Sequence, residues 1–552
     1  MDTPSQHETS RASPDARGRV LISGTPVLES PIMSEGTIEL GSVTLPPAES
    51  NELAQQSRKT DIVDQSSRLP FGRLMSAYLC LAAIYFIQTL DINSVATALP
   101  AIARSLGAGN SITWAGTAYL MGQTAFQSLY GRLSDIFGRK PVLLVCIGFL
   151  VGGDLLCGFA RTPIWLYVCR ALSGVGGGGI SSLVQITVSD LVSLKDRGKY
   201  QGMLSASIGL GASTGPFIAA SMLRKGDTGS VEAWRWIFWV PPILATVCAM
   251  TIWLCLPLKP VTGSWREKLA KIDWYGLGAA MAGVLLLLIP LNSGGSIWPW
   301  HSEHVITMLV LGGFFFVIFA VIEKSVAKIP LIPLRLFGQR STAVMYVQSA
   351  LYDCVWQVNL YFLPIYFQEV RGYSPLRSAS LTLPLLLIHS AAGVASGPIM
   401  SKSASVYVTV LLIKGTGIGF VHQPALVALQ ALSKPEDRAV ATSTRNLMRM
   451  LGSVVGMALS TAVQYSVMKS ALPTDLPESV RSSVTGGTWQ RGDAGSHDWE
   501  QAILDAKMKG VHMVFVMLVP LMVLCLGGCW FIPNVALMGD EERRDTQLAQ
   551  RL

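Results

Sequence analysis

The stretch GRLSDIFGRK, Gly131 to Lys140, separates two long apolar segments and sets two glycines, one acid and three bases within ten positions. Glycine allows backbone turns that a side chain would obstruct, so Gly131 and Gly138 are expected to close two helix ends. Asp135 is spaced to pair with Arg132, Arg139 or a neighbouring helix end. Arg139 and Lys140 would lie just past a membrane edge, where Lys and Arg mark the cytoplasmic side. Gly131, Arg132, Asp135, Gly138, Arg139 and Lys140 are therefore candidate residues of a charged cytoplasmic loop.

Outside this loop the chain is strongly apolar. Of 552 residues, 50% are hydrophobic and 14% charged, with a mean hydropathy of +0.43. Soluble domains carry about 25% charged residues, so an all-α polytopic membrane protein is expected. The net charge of +8 fits a bias towards basic inner loops, and no nucleic-acid partner is expected. All nine cysteines fall in apolar runs without zinc spacing; they read as small buried hydrophobes, with no disulfide and no metal site. No nucleotide-binding GxxxxGK[ST] string occurs, and no HExxH or GxSxG string supports catalysis, so no enzyme activity and no cofactor are expected.

About twenty apolar residues suffice to cross a bilayer. Thirteen such runs are read, at 74–98, 112–130, 141–160, 163–186, 200–222, 235–256, 273–291, 304–323, 342–367, 379–400, 405–430, 441–467 and 510–532. With the N-terminus inside, the first ten spans put fourteen Lys and Arg on inner connections, Arg132 to Arg340, against six on outer ones, Arg104 to Arg377. Beyond that the alternation fails. Lys402, the basic loop Lys434 to Arg445 and the tail Arg543-Arg544 all favour the inside, and one crossing cannot have both ends inside. The connection SKSAS, 401–405, is too short to hide a helix, so a further apolar stretch between Met400 and Val406 is expected in the transcript. Residues 1–70, rich in Ser, Pro, Glu and Arg, read as a disordered cytoplasmic tail.

Polar groups inside apolar runs are the candidate sites. Asp91, in LDINSVATALP, would cost roughly 2.5–3.5 kcal/mol to insert, so it reads as a proton-coupling carboxylate. Arg170, in LYVCRALSGVGGGG, is an intramembrane cation expected to face a polar cavity and to pair with a carboxylate. The nearby Gly174, Gly176 and Gly179 match a dinucleotide fingerprint only formally, because no strand precedes them. In the fifth run Gly202, Gly211, Gly215 and Pro216 give a smooth, kinked packing face. Asp154, Asp353, His389, Lys414 and His422 are possible cavity residues, each equally readable as an internally paired polar group.

In order along the chain, the loop, LDINSVATALP, Arg170 and the Gly-Pro spacing resemble the fourteen-span drug:proton antiporter family of the major facilitator superfamily. RGKYQG (197–202), WRWIFWVPP (234–242) and DRAVATSTRN (437–446) add to the likeness, which is greatest to fungal toxin and secondary-metabolite efflux pumps. The resemblance runs from about Leu74 to Pro533. It implies a major facilitator fold: a six-helix bundle at 71–257, a two-helix linker at 258–340, a second bundle at 341–533 and a cytoplasmic tail at 534–552. It implies proton-coupled efflux of a lipophilic small molecule by a monomer in the cell or vacuolar membrane; the alternatives are import of a nutrient or siderophore on the same fold, or a transport-defective or sensor variant. It implies proton coupling at Asp91 and Arg170 and a gating-loop role for Gly131, Arg132, Asp135, Gly138, Arg139 and Lys140. Ala219-Ala220 stands where the antiporter motif G-x8-G-x3-G-P-x2-G-G ends in two glycines. The family's eleventh span has no counterpart, so the second bundle is expected to be one helix short, with 405–430 in the eleventh or twelfth slot.

Overall fold

Apolar runs without backbone partners in lipid must satisfy their own peptide groups, and helices do so within one segment. The computed structural model describes residues 70–532, apart from 109–110, 113, 226–232, 257–267, 269, 271, 295–297, 328–329, 374–376, 379, 382, 384–416, 435–436, 486–488 and 490–498. In chain order the described helices are α1 (Phe71–Leu106), α2 (Trp114–Phe126), α3 (Leu129–Phe137), α4 (Arg139–Gly158), α5 (Pro163–Leu191), α6 (Leu194–Lys225) and α7 (Arg235–Cys255). They continue as α8 (Trp274–Ser293), α9 (Glu303–Ser325), α10 (Arg340–Ile365), α11 (Gly417–Leu432), α12 (Arg438–Ala471), α13 (Glu478–Thr485) and α14 (Glu500–Gly528). A one-turn helix, Arg335–Gly338, precedes α10.

Eight of the described helices are long and apolar enough to cross a membrane. The tails expected at 1–70 and 534–552 fall, but for Pro70, outside the described residues, as do most of the run at 379–400 and the start of that at 405–430. The run expected at 112–130 is two helices, α2 and α3, broken at Gln127-Ser128. Gly138, between α3 and α4, has φ 97°, a backbone that favours glycine. Gly131 does not end a helix as its spacing suggested; it lies inside α3 and serves a different purpose, described below. Local signals place several starts. Thr162 caps α5 by accepting from Trp165 N, with Pro163 at the first helical position. Asp273 caps α8 through Gly276 N at 2.9 Å.

The two halves repeat one plan. Helix α1 packs along α6 and α10 along α12, these being among the most extensive helix pairs. Residues 196–215 and 437–456 match in register: Asp196-Arg197 with Asp437-Arg438, Gly211 with Gly452, and Gly215 with Gly456. The paired glycines are where the helices touch. A side chain on Gly211 would begin 2.6 Å from the Phe86 carbonyl oxygen, and one on Gly215 2.8 Å from that of Leu90. Gly452 meets the Ala350 carbonyl oxygen in the same way, and Gly456 meets the Sγ and Cα of Cys354. Thus Phe86 corresponds to Ala350 and Leu90 to Cys354.

Helices α8 and α9 pair with each other, and α8 also contacts α2 and α12. On α9, Val310, Phe314, Val317 and Val321 are all more than half exposed and share one face, as a lipid-facing stripe requires. Pro216 interrupts the backbone ladder of α6. Just before it, Ser213 and Thr214 donate to the carbonyls of Gly209 and Leu210, one turn back.

Candidate functional site: buried charge clusters and an ion-paired loop

Three polar constellations stand out in this apolar bundle. The first joins α1, α4 and α5. Arg170 Nη1 lies 3.0 Å from Asp91 Oδ2 and 3.2 Å from Asp154 Oδ1. Arg170 Nε donates to the Ala115 carbonyl at 3.4 Å, and the guanidinium lies 4.5 Å from the Tyr119 ring centroid and 5.7 Å from that of Phe238. Gln88 donates to the Tyr119 hydroxyl at 3.3 Å. Asp91, Asp154 and Arg170 are at most 1% exposed, so the cluster is sealed from solvent in this conformation. Small residues bring the helices close enough: Gly153 sits against Ser173, and Gly174 against the Tyr119 backbone. With both acids ionised the cluster carries one negative charge, and one proton would neutralise it. Asp91 and Arg170 are thus brought together, and Asp154, one of the possible cavity residues, joins them.

The second constellation is the charged loop GRLSDIFGRK, Gly131 to Lys140. Arg139 reaches Asp135 at 2.6 Å and Asp190, near the end of α5, at 2.9 Å. Lys140 donates to the carbonyls of Trp253 and Leu256 at the end of α7. Arg132 Nε donates to the Pro330 carbonyl at 2.7 Å and lies 3.9 Å from Asp437 and 4.0 Å from Asp135. Asp437 also takes Arg335 at 2.8 Å. Burial pushes the Asp135 carboxyl above its ordinary pKa, while Arg139 and Arg132 act in the opposite sense. Gly131 has no room for a side chain, because Ala439 and Ser443 of α12 press against it. Deeper in, Asn446 donates to Ser182 and Gln185 of α5, both at 3.2 Å. The two halves are therefore closed against each other at the loop end.

The third constellation is in the second half. Asp353 Oδ1 accepts from Arg449 Nε and Nη2 at 3.1 and 2.7 Å, and Oδ2 accepts from Ser453 Oγ at 2.7 Å. Arg445, one turn before Arg449, is 1% exposed. Of the candidate residues, Gly202, Gly211, Gly215 and Pro216 lie on α6. His389 and Lys414 lie outside the described residues, and His422 is on α11 with its side chain outside them. Sequence reasoning did not single out Arg445, Arg449, Asp437, Asp190, Tyr119 or Asn446. The repeat of Asp-Arg and Gly-x3-Gly at 196–215 and 437–456 was the signal that could have drawn attention to α12.

An all-helical membrane protein with two repeated halves, buried ion clusters and an ion-paired closure at one end is a two-bundle membrane transporter. The chain belongs to the Major Facilitator Superfamily, whose model matches residues 81–457. It is 35% identical to Citrate exporter 1 of Yarrowia lipolytica, over 88% of this chain and 76% of that one. It is 34% identical to the MFS-type transporter clz4 of Cochliobolus lunatus, over 74% and 78%. It is 31% identical to the efflux pump dotC of Dothistroma septosporum, over 70% and 71%. Its fold is similar to a bacterial homologue of the human lysosomal transporter Spinster in an inward-facing and occupied conformation (TM-score 0.52, 14% identity, 82% of this chain and 95% of that one). The proton:xylose symporter XylE is similar too (TM-score 0.51, 13% identity, 81% and 95%). The match to Citrate exporter 1 runs over 516 positions yet takes up 88% of 552 residues, about 486, so about thirty positions have no counterpart in this chain.

Proposed function

We propose that this transporter exports a small molecule by alternating access, driven by protons moving the other way. The observation that carries the reading is the sealed cluster of one guanidinium and two carboxylates. Burying an unbalanced charge is expensive, and protonation of Asp91 or Asp154 relieves that cost. A proton taken up there changes the electrostatic balance between conformations, which differ by only a few kcal/mol in such carriers. Asp91 and Asp154 act as the proton carriers and Arg170 as their fixed counter-ion. The Gly131–Lys140 loop, cytoplasmic by its basic charge, latches the halves through Asp437, and release of that latch admits substrate from the cytosol. The Gly211-Gly215-Pro216 face lets α6 shift against α1.

The names of the relatives, efflux pumps and a citrate exporter, support export as the direction. The chain works as a monomer in the cell membrane, with substrate and protons as its partners and no catalytic role. A lipophilic metabolite, toxin or drug is the cargo that the family resemblance suggests, and an organic acid the one that Citrate exporter 1 suggests. The test is retention. Cells with and without the protein are loaded with labelled compounds of both kinds, and the cells carrying it should retain less of at least one. Equal retention across the panel, with the protein shown at the cell surface, overturns export. Accumulation confined to vacuoles would move the site of action to the vacuolar membrane.

A further inference from the structure

Residues 330–338, PLIPLRLFG, form a strap between α9 and α10. Pro330 and Pro333 disfavour helix through this stretch, and its first regular turn is Arg335–Gly338. Its leading side chains are buried all the same. Leu331 is 1% exposed, and Leu331 and Ile332 share one apolar cluster with Leu129 of α3, Leu277 of α8 and Leu447 and Val454 of α12. Burying them takes their backbone N–H groups out of water with no helix or sheet to receive them, and an unmet buried N–H is costly. Glu323, in the last turn of α9, receives both: its Oε1 accepts from Leu331 N at 2.8 Å and from Ile332 N at 3.3 Å. The carboxylate is itself buried, and bonds to a charged acceptor are the stronger kind.

The strap touches both halves. Arg132 of α3 donates to the Pro330 carbonyl at 2.7 Å. Arg335 donates to Asp437, at the head of α12, at 2.8 Å. The end of the strap is built into the second half: Leu336 packs with Met345, Leu429 and Val440, the Phe337 ring lies 5.0 Å from that of Tyr346, and Thr342 of α10 donates to the Leu336 carbonyl at 2.5 Å. The repeat shows what the strap adds. Asp196, the counterpart of Asp437, is exposed and accepts from Ser193, three residues before it. Asp437 is buried and is met from outside its own helix, by Arg335 and, at 3.9 Å, by Arg132. The strap is thus held to the second half by a core and an ion pair, to α9 by Glu323, and to the first half by one hydrogen bond and the contact with Leu129.

We propose that Glu323 is a positioning residue for the closure at the loop end. By fixing the strap it ties the α8–α9 pair to the second half, and the two close together against Arg132 and Leu129 of α3. On opening, the strap parts from α3, keeps its bonds to Glu323 and Asp437, and α8 slides along α2, which it also contacts. This deepens the export reading and rests on it in taking the loop end as the gate.

The motion is measured without substrate or gradient. The full-length protein in lipid nanodiscs carries pairs of spin-labelled side chains at Lys199, Ser325 and Lys434, introduced as an unnatural amino acid so that the native cysteines stay in place. All three positions are exposed, on α6, on α9 and just after α11. Double electron–electron resonance then gives the distances: Lys199–Lys434 spans the two halves, and Ser325–Lys434 follows α9 against the second half. Glu323→Ala should broaden the Ser325–Lys434 distribution and raise the long, open fraction of Lys199–Lys434 about fivefold, the effect of about one net hydrogen bond. Glu323→Gln, whose amide oxygen still accepts, should raise it less. An unchanged open fraction in Glu323→Ala, an equal rise in both variants, or a Ser325–Lys434 distribution that stays narrow in Glu323→Ala each overturns the proposal. Should Glu323→Ala fail to fold, Arg335→Gln decides, at a side chain 57% exposed: a raised open fraction is expected, and an unchanged one overturns the strap as a bridge. Opening by Glu323→Ala beside an unaltered protein that exports nothing overturns export alone. Unchanged distances in a protein that does export overturn the role of Glu323 alone.

Discussion

Arg170 answers to two acids at once, and this makes it the residue whose loss costs most. Replacing one member of a buried ion cluster typically costs about 3–5 kcal/mol, because the remaining charge stays buried without compensation. Arg170→Gln strands two carboxylates. Asp154→Asn leaves Asp91 and Arg170 facing each other at 3.0 Å. Arg170→Gln should therefore lower the melting temperature in detergent much more than Asp154→Asn does. Equal losses would mean that the cluster does not share its charge as described. The candidacy of Asp91 and Arg170 was legible in the sequence because a charge in an apolar run is costly wherever it sits. Their partnership with Asp154 was not, since it depends on three helices meeting at Gly153 and Gly174. Arg445 was read only as a loop charge and Arg449 escaped notice for the opposite reason: they sit near a basic loop, where arginine is ordinary.

Among the elements, the glycine pairs hold each half together and Gly131 holds the halves closed. Gly452→Val should disrupt the α10–α12 contact and collapse the monodisperse peak in size-exclusion chromatography. Gly148→Val, on α4 with nothing within 4 Å of its would-be side chain, should leave the peak unchanged. A peak that survives Gly452→Val would show that the close contact is dispensable. Gly131→Val sets a side chain that starts 2.9 Å from the Ala439 carbonyl oxygen, so it should hold the loop end open and lower export in protein that still reaches the membrane. Export undiminished by Gly131→Val would mean that this closure does not gate. The loop itself was legible as a helix boundary, and Gly138 fulfils that reading. The place of Gly131 inside α3 was not, because its glycine answers to a helix 308 residues later in the chain.

For the whole molecule, reading Lys434, Arg438, Arg543 and Arg544 as cytoplasmic requires an even number of crossings. The match to Citrate exporter 1 leaves about thirty positions without a counterpart in this chain, a length sufficient for one membrane helix. Transcript sequencing should reveal a further apolar stretch of about twenty residues between Met400 and Val406; a message that reads straight through SKSAS contradicts this. The central claim is that a proton bound at the Asp91–Arg170–Asp154 cluster drives export. It is tested most directly in inside-out vesicles loaded by an imposed pH gradient, comparing the unaltered protein with Asp91→Asn for a substrate found by the retention assay. The account predicts uptake that requires the gradient, collapses with a protonophore and is lost in Asp91→Asn at normal protein levels. Gradient-driven uptake that persists undiminished in Asp91→Asn would contradict it.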